Sequence, residues 1–378
     1  MTVSIGRQVV SLCLLLGATL GCGGGASSPQ TSSKAQSPSL TLTAQPDTIA
    51  SGSSSVLQWS ATNATSVTLK GLGTFATSGS LTVSPTATTT YVATATGPGG
   101  TTSASTTVTI TTAPPPGVPV FSHVFVVVEE NHGYSSVIGS SSMPYLNSLA
   151  SQYGLATQFY ANTHPSIGNY FMMTTGQIIT NNDSYNATVT VDNIVRHFLT
   201  AGTTWKSYAE NLPSIGYTGW DVYPYVKHHN PFAYFSDVVN SSNQKNYLVP
   251  FSQFATDMKN SQLPQFSFII PNQLNNAHDG TLNQADAWLK TNIAPLISNS
   301  AFSQNGLLII LFDEADTSDS SHGGGHIATL IISPKGKKAY KSTTLYQHQS
   351  ALRLMLQGLG VASYPGAAGS APSMTEFF

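Results

Sequence analysis

Four short, almost purely apolar runs govern what this chain can become: His123-Val-Phe-Val-Val-Val128, Phe266-Ser-Phe-Ile-Ile270, Leu307-Leu-Ile-Ile-Leu-Phe312 and Ala328-Thr-Leu-Ile-Ile332. A strand apolar on both faces belongs inside a sheet covered by helices on both sides, whereas a sheet with one wet face alternates apolar and polar residues. Helical stretches separate the runs, so residues 120–378 are expected to form α/β layers around a largely parallel sheet. Open sheets of this kind hold ligands outside the carboxyl ends of their strands. Here Glu129-Glu130-Asn131-His132 follows the first run at once, Asn272, Asn275, His278 and Asp279 trail the second, and Asp313-Glu314 follows the third. One acidic pair after a strand is ordinarily a solvated turn. Two such pairs after strongly apolar strands suggest a site, because carboxylate and carboxamide oxygens are hard ligands for calcium, magnesium or manganese and, with imidazole added, for zinc or iron. A divalent metal is expected, its identity left open.

Charge is scarce and unevenly placed. Only 8 % of the 378 residues are Asp, Glu, Lys or Arg, against roughly 25 % in an ordinary globular protein. Of these 30 residues, 26 lie from Val120 onward, as do all ten histidines, so proton and metal chemistry is confined to the C-terminal part. A net charge of -2 supplies no field that would hold a polyanion, which argues against nucleic acid as the main partner.

The first 119 residues carry a different signature. Residues 1–25 read as an export signal: Arg7 near the start, a mostly apolar stretch from Val9 to Leu20, then small residues. Thr19-Leu20-Gly21-Cys22 resembles a lipoprotein cleavage site, so the expected location is extracellular or the cell envelope. A lipid on Cys22 is the one membrane attachment considered. Cys13 falls within the signal, which leaves the mature chain no internal disulfide. Residues 26–38, rich in Ser, Thr, Gln and Pro, are expected to be a flexible tether. Across residues 39–112, six short runs alternate apolar residues with Thr or Ser, which predicts a small antiparallel sandwich with Trp59 and Tyr91 facing inward. Pro46-Asp-Thr-Ile-Ala-Ser-Gly52 and Trp59-Ser-Ala-Thr-Asn-Ala64 resemble the bacterial immunoglobulin-like domains of secreted enzymes. Residues 113–119 read as a Pro-rich spacer.

Between the first two apolar runs lies Asn162-Thr-His164-Pro165-Ser166-Ile-Gly168-Asn169-Tyr170. Pro165 followed by Ser166 and apolar residues fits a helix start, where free N–H groups favour an anion. A serine there commonly caps the helix. Beside a bound metal it also serves as a nucleophile toward phosphorus. Spacing leaves both roles open.

A resemblance narrows the choice. Val126-Val-Val-Glu-Glu-Asn131, Thr163-His-Pro-Ser166 with Asn169-Tyr170, Thr204-Trp-Lys-Ser-Tyr-Ala-Glu210, Lys227-His-His-Asn-Pro-Phe232, Leu263-Pro-Gln-Phe-Ser-Phe-Ile-Ile-Pro-Asn272, His278-Asp279, Asp286-Ala-Trp-Leu289 and Phe312-Asp-Glu314 are similar, in order, to the bacterial phosphoesterase family. That family holds acid phosphatases and phospholipases C within the alkaline phosphatase superfamily. The resemblance implies an alkaline phosphatase-like domain over residues 120–378 that hydrolyses phosphate esters through a phosphoserine on Ser166. It implies Glu130, Asn131, Asp313, Glu314 and Ser166 as metal ligands. His164, His278 and His229, with His228 as its alternative, would surround the phosphoryl group as donors and general acid, and Lys227 would offset its charge. Asp279 and His326 join as substrate-binding candidates. Two departures stand out: Gly168, where relatives usually carry Pro, and the doubled His228-His229.

His123 and His197 read as packing or surface residues, and His348, on an expected terminal helix over residues 346–356, stays outside the expected site. Two rival readings are a non-catalytic adhesion protein and a sulfate or phosphonate ester hydrolase. Adhesion needs no acidic cluster beside a hydroxyl, and Ser166-Ile-Gly-Asn-Tyr170 lacks the Pro and Arg spacing of a formylglycine motif. Monoester and phospholipid or phosphocholine diester substrates remain unseparated, since leaving-group choice depends on segments such as residues 211–225.

Overall fold

The computed structural model describes residues 35–49, 53–110 and 117–378. The expected export signal (1–25) with Cys22, most of the tether (26–34) and part of the Pro-rich spacer (113–116) lie outside the described residues.

The N-terminal runs form strands as their alternation predicts. A three-stranded sheet orders Ser39–Gln45, Ser55–Thr62 and Ser78–Val83, and a five-stranded sheet orders Thr48–Ile49, Gly100–Ile110, Thr89–Gly97, Ser66–Leu69 and Gly73–Phe75. Trp59 is buried, packs on Phe75 at 5.1 Å and donates its indole N–H to Ala76 O at 3.0 Å. A Cβ on Gly79 would lie 2.6 Å from its ring, so only glycine fits there. Tyr91 is half-buried on the same phase as the buried Ala93 and Ala95.

The C-terminal body is built on an eight-stranded sheet. Its strands are β1 (His123–Glu129), β2 (Gly154–Ala156), β3 (Trp205–Ala209), β4 (Leu248–Pro250), β5 (Phe266–Ile270), β6 (Gly306–Phe312), β7 (Thr329–Ile332) and β8 (Lys341–Ser342), in the spatial order β4-β3-β5-β1-β6-β7-β2-β8. Neighbours from β4 to β6 pair in parallel, and only β7 runs antiparallel to the strands on either side. Residues 124–128 and the whole of β6 are buried on both faces, as a doubly covered sheet requires.

Two helices matter most for the site. Helix α1 (Ser166–Thr175) has every residue buried, and Gly176, at φ 68°, ends it in a left-handed turn. A Cβ on Gly168 would stand 2.5 Å from both Thr163 Cγ2 and Asn181 Oδ1, so close packing accounts for the departure at this position. Helix α2 (His348–Gly358) begins two residues later than expected, because Tyr346–Gln347 pairs with Phe159–Tyr160. Among the described residues no helix is long and apolar enough to cross a membrane.

Candidate active site

The register of β1 and β6 brings the acidic pairs together. These strands pair in parallel from Gly306 with His123 to Phe312 with Glu129, so Glu130-Asn131 and Asp313-Glu314 leave the sheet side by side. Asp313 N–H donates to Glu129 O at 2.9 Å, and Glu130 N–H to Asn276 O at 2.8 Å, which adds the segment after β5. Of the Glu129-Glu130 pair only Glu130 bonds Ser166. Glu129 is buried with both oxygens unbonded, and burial, then Asp286 and Glu210, push its carboxyl up.

Ser166 opens α1 beneath these strand ends. Its Oγ lies 3.2 Å from Glu130 Oε2 and 3.4 Å from Asn131 Oδ1, and Asn131 N–H donates to Asp313 Oδ1 at 3.1 Å. Burial, then the Asp313 charge, raise the Glu130 carboxyl, and burial lifts Asp313 to about 6. Burying such carboxylates demands a proton or a cation. The Asn131 amide bears on which. With its oxygen turned inward, four acceptors from Glu130, Asn131, Asp313 and Ser166 converge, and Asp313 Oδ2 stays buried without a partner. With the amide turned over, its NH2 donates to Glu130 Oε2 at 3.0 Å and Asp313 Oδ1 at 3.2 Å. The first arrangement suits a hard cation, and the unbonded Asp313 oxygen fits that reading. Among the described residues no three His, Cys, Asp or Glu side chains form a metal-binding group. The oxygen set here instead combines two carboxylates with an amide and a hydroxyl.

Glu314, expected in that ligand set, is engaged elsewhere. Its Oε2 lies 3.2 Å from His164 Nδ1, which has no hydrogen-bond partner, and accepts from Asn169 Nδ2 at 3.2 Å, and burial and then Asp313 push it up to about 9. His164 Nε2 faces Asp319 O at 3.0 Å. The doubled histidines separate. His229 is buried with Nε2 3.4 Å from Glu130 Oε1, whereas His228 Nδ1 lies 3.9 Å from Asp221. Burial, reinforced by its neighbours His228 and His278, keeps His229 well below the usual imidazole range, and neither of its nitrogens has a hydrogen-bond partner. His278 is partly exposed, its ring 6.2 Å from His229 and its Nδ1 2.7 Å from Asp279 Oδ1.

Two expected substrate contacts point elsewhere. Lys227 Nζ bonds Asn186 and sits 4.3 Å over the Tyr234 ring, partners that already engage its ammonium. His326 is stacked between Tyr134 and Tyr160, at 4.4 and 4.8 Å, and its Nε2 faces Thr157 O at 3.0 Å. Three residues ahead of β7, both faces of its ring are thus taken up by tyrosines.

Tyr170, Asn169, Asp183 and His348 complete the surroundings. Tyr170 O–H donates to Glu130 Oε1 and its ring stacks on His229 at 5.0 Å. Its place four residues after Ser166, on the same helix face, was the signal in the sequence. Asn169 Oδ1 accepts from the N–H groups of Asn162 and Thr163 at 2.9 and 3.2 Å, which shapes the loop leading into Ser166. Asp183 Oδ1 accepts from Ile167 N–H at 3.1 Å, and His348 Nε2 lies 2.6 Å from Asp313 O. Nothing local in the sequence marks Asp183.

A buried serine at a helix start, beside acidic strand ends whose carboxylates lie near His229 and His164, forms the centre of this site at the carboxyl edge of an α/β sheet. The chain belongs to the phosphoesterase family, whose pattern it matches over residues 140–362, and by that membership it is a phosphoric ester hydrolase. It is 33 % identical over 263 residues to a phosphatidylinositol-3-phosphatase of Mycobacterium tuberculosis, covering 69 % of this chain and 84 % of that one. A probable acid phosphatase of Kluyveromyces lactis and an acid phosphatase of Aspergillus fumigatus are each 32 % identical, over 61 % and 64 % of this chain. The chain spans 56 % of the length of each of these two. A solved structure of a protein in the alkaline phosphatase superfamily from Vibrio parahaemolyticus superposes with a TM-score of 0.48 at 15 % identity, covering 66 % of this chain and 69 % of that one.

Proposed function

We propose that this protein is an exported, metal-dependent phosphatase acting on phosphate monoesters, with Ser166 as nucleophile. The observation that carries this reading is the Ser166 hydroxyl at the first turn of α1, 3.2 Å from Glu130 Oε2 among oxygens from two adjacent strand ends. Monoesters are favoured over diesters because the relatives named above are phosphatases. Glu130, Asn131, Asp313 and Ser166 would hold a divalent cation, whose chemistry is to acidify the hydroxyl and offset phosphoryl charge.

Ser166 Oγ, its proton released to solvent, forms a bond to phosphorus as the bond from phosphorus to the alcohol oxygen breaks. His278, with Nδ1 fixed on Asp279, gives the departing alcohol its proton from Nε2. Water then attacks the phosphoserine as it gives a proton to His278, the bond from phosphorus to Oγ breaks, and phosphate leaves while Oγ takes a proton back from solvent. His229 stays neutral beside Glu130 and donates a hydrogen bond to a phosphoryl oxygen, and His164 lies beside Glu314.

The test is phenyl phosphate hydrolysis by wild type and Ser166→Ala, with and without chelator, combined with acid-quenched labelling by a radioactive ester. Label on the peptide containing Ser166, turnover lost in Ser166→Ala, and turnover lost on chelation and restored by added metal are expected. Full turnover in Ser166→Ala overturns the nucleophile, and activity that survives metal removal overturns the metal. Export is tested by the N-terminal residue and mass of the mature protein, which also report a lipid on Cys22.

A further inference from the structure

Half of the exposed large apolar side chains among the described residues lie in the two segments that lead into Lys227-His228-His229 and His278-Asp279. Among the described residues, Ile215, Trp220, Val222, Tyr223 and Leu274 all belong to the exposed large apolar side chains, and Trp220 and Tyr223 are each 63 % exposed. They come from one hairpin and the segment after β5, which are bonded together: Val222 and Tyr225 exchange both backbone hydrogen bonds, and Gln273 N–H donates to Pro224 O at 3.0 Å. The hairpin is also tied to the histidines, since Lys227 N–H donates to Asp221 Oδ1 at 2.7 Å. Tyr217 O–H donates to Trp220 O at 2.9 Å, which shapes the turn that carries the indole. Trp220 thus rides on a turn fixed at its backbone, and Tyr223 meets Asp279, the partner of His278.

Trp220 lines a cavity of about 250 Å³ with Asp183, Asp221, Lys227, His228 and Tyr234. Its charges decide which end of an ester can enter. Asp183 and Asp221 put two carboxylates on its wall against the single Lys227 ammonium, which Asn186 and the Tyr234 ring hold, so the lining is net negative and disfavours a second anion there. The phosphoryl end therefore stays at Ser166, and the cavity and its aromatic rim are left for the alcohol end.

We infer that Trp220 and Tyr223 form a leaving-group subsite that selects phosphate monoesters whose alcohol carries an apolar ring or chain, taken up as single molecules from solution. This inference rests on the proposed phosphatase activity and names the alcohol class that the same site prefers. Large, rigid aromatic side chains contribute contact area at little entropic cost.

The test is a series of methyl, butyl, hexyl, phenyl and 1-naphthyl phosphates, each below its micelle concentration, with wild type, Trp220→Ala, Tyr223→Ala, the double variant and Trp220→Phe. The quantity read is kcat/KM relative to methyl phosphate within each protein. In wild type this ratio is expected to rise with apolar size, through KM more than kcat. Each alanine variant should lower it by about 2- to 10-fold, the scale of one aromatic contact, and Trp220→Phe should restore most of it. A ratio independent of apolar size, or unchanged in the double variant, overturns the inference while hydrolysis itself upholds the phosphatase reading. No hydrolysis of any ester takes both down. A preference seen only for esters presented in phosphatidylcholine vesicles assigns the patch to a membrane surface and also overturns it. Because these residues are exposed, a thermal melt that matches wild type separates these outcomes from misfolding.

Discussion

Replacing Tyr170 by Phe tests the site without touching any reacting group. Tyr170 is buried, its hydroxyl donates to Glu130 Oε1, and its ring lies on His229 at 5.0 Å and 12°. Phenylalanine keeps the ring and the stacking, so the change isolates one O–H group. A hydrogen bond to a charged partner contributes about 1.5–3 kcal/mol, which is about 10- to 150-fold in an equilibrium or rate. The loss falls on Glu130, whose carboxyl is already raised by burial and Asp313 and is lowered in part by Tyr170. Without the hydroxyl, Glu130 is protonated more readily and holds a cation less well. Groups that orient a metal ligand typically cost about 10- to 100-fold in affinity or activity when removed. Tyr170→Phe should therefore lower kcat/KM for phenyl phosphate by about that factor. The deficit should widen toward acid pH and shrink as metal is added, as followed by steady-state assays and calorimetric metal titration. Metal affinity and activity within about twofold of wild type, with a flat pH ratio, would refute the placing of Tyr170 as the support of Glu130.

Three further outcomes are expected. Gly168→Ala drives a Cβ to 2.5 Å from Thr163 Cγ2 and Asn181 Oδ1 and should cost about 1–3 kcal/mol, seen as a lower urea midpoint; an unchanged midpoint would mean the loop yields freely. Asn169→Ala leaves the N–H groups of Asn162 and Thr163 without their shared acceptor and should cost about 1–3 kcal/mol for each N–H left buried, with turnover falling alongside the thermal midpoint. Glu376 is pushed up by burial but held down to about 2 by hydrogen bonds from Ser342, Tyr346 and Tyr340, against an ordinary 4.5. Its folded-state value is depressed, so its contribution is present above about 4.5 and is lost as pH falls toward 2. For this half-exposed group that is on the order of 1 kcal/mol after solvent screening. Glu376→Gln should be less stable at neutral pH and show a shallower acid loss in pH-dependent melts.

Part of this protein could be read along the chain because burial and backbone pairing leave local marks. The unbroken apolar runs of β1 and β6 announce strands covered on both faces, and parallel pairing carries their following residues, Glu130-Asn131 and Asp313-Glu314, to one edge. Pro165 and Ser166 announce the start of α1. Alternation across residues 39–110 announces the N-terminal strands, and the runs of motifs announce the family.

Tertiary structure decided which side chains meet, because that depends on rotamers and on segments distant in sequence. It set His229 against Glu130 and His228 toward Asp221, from two adjacent residues whose side chains diverge on a short helical turn. It turned Lys227 to Asn186, His326 into a tyrosine stack and Glu314 to His164, each drawn by a partner that spacing cannot reveal. It brought Asp183 to the first turn of α1 from a loop without regular pattern. Sequence by itself determined the architecture and the edge of the sheet where chemistry gathers, since strand burial follows from short-range pattern and parallel sheets hold ligands at their strands' carboxyl ends. Only the packed chain decided the membership of the site, since contact between side chains is a property of three-dimensional neighbours.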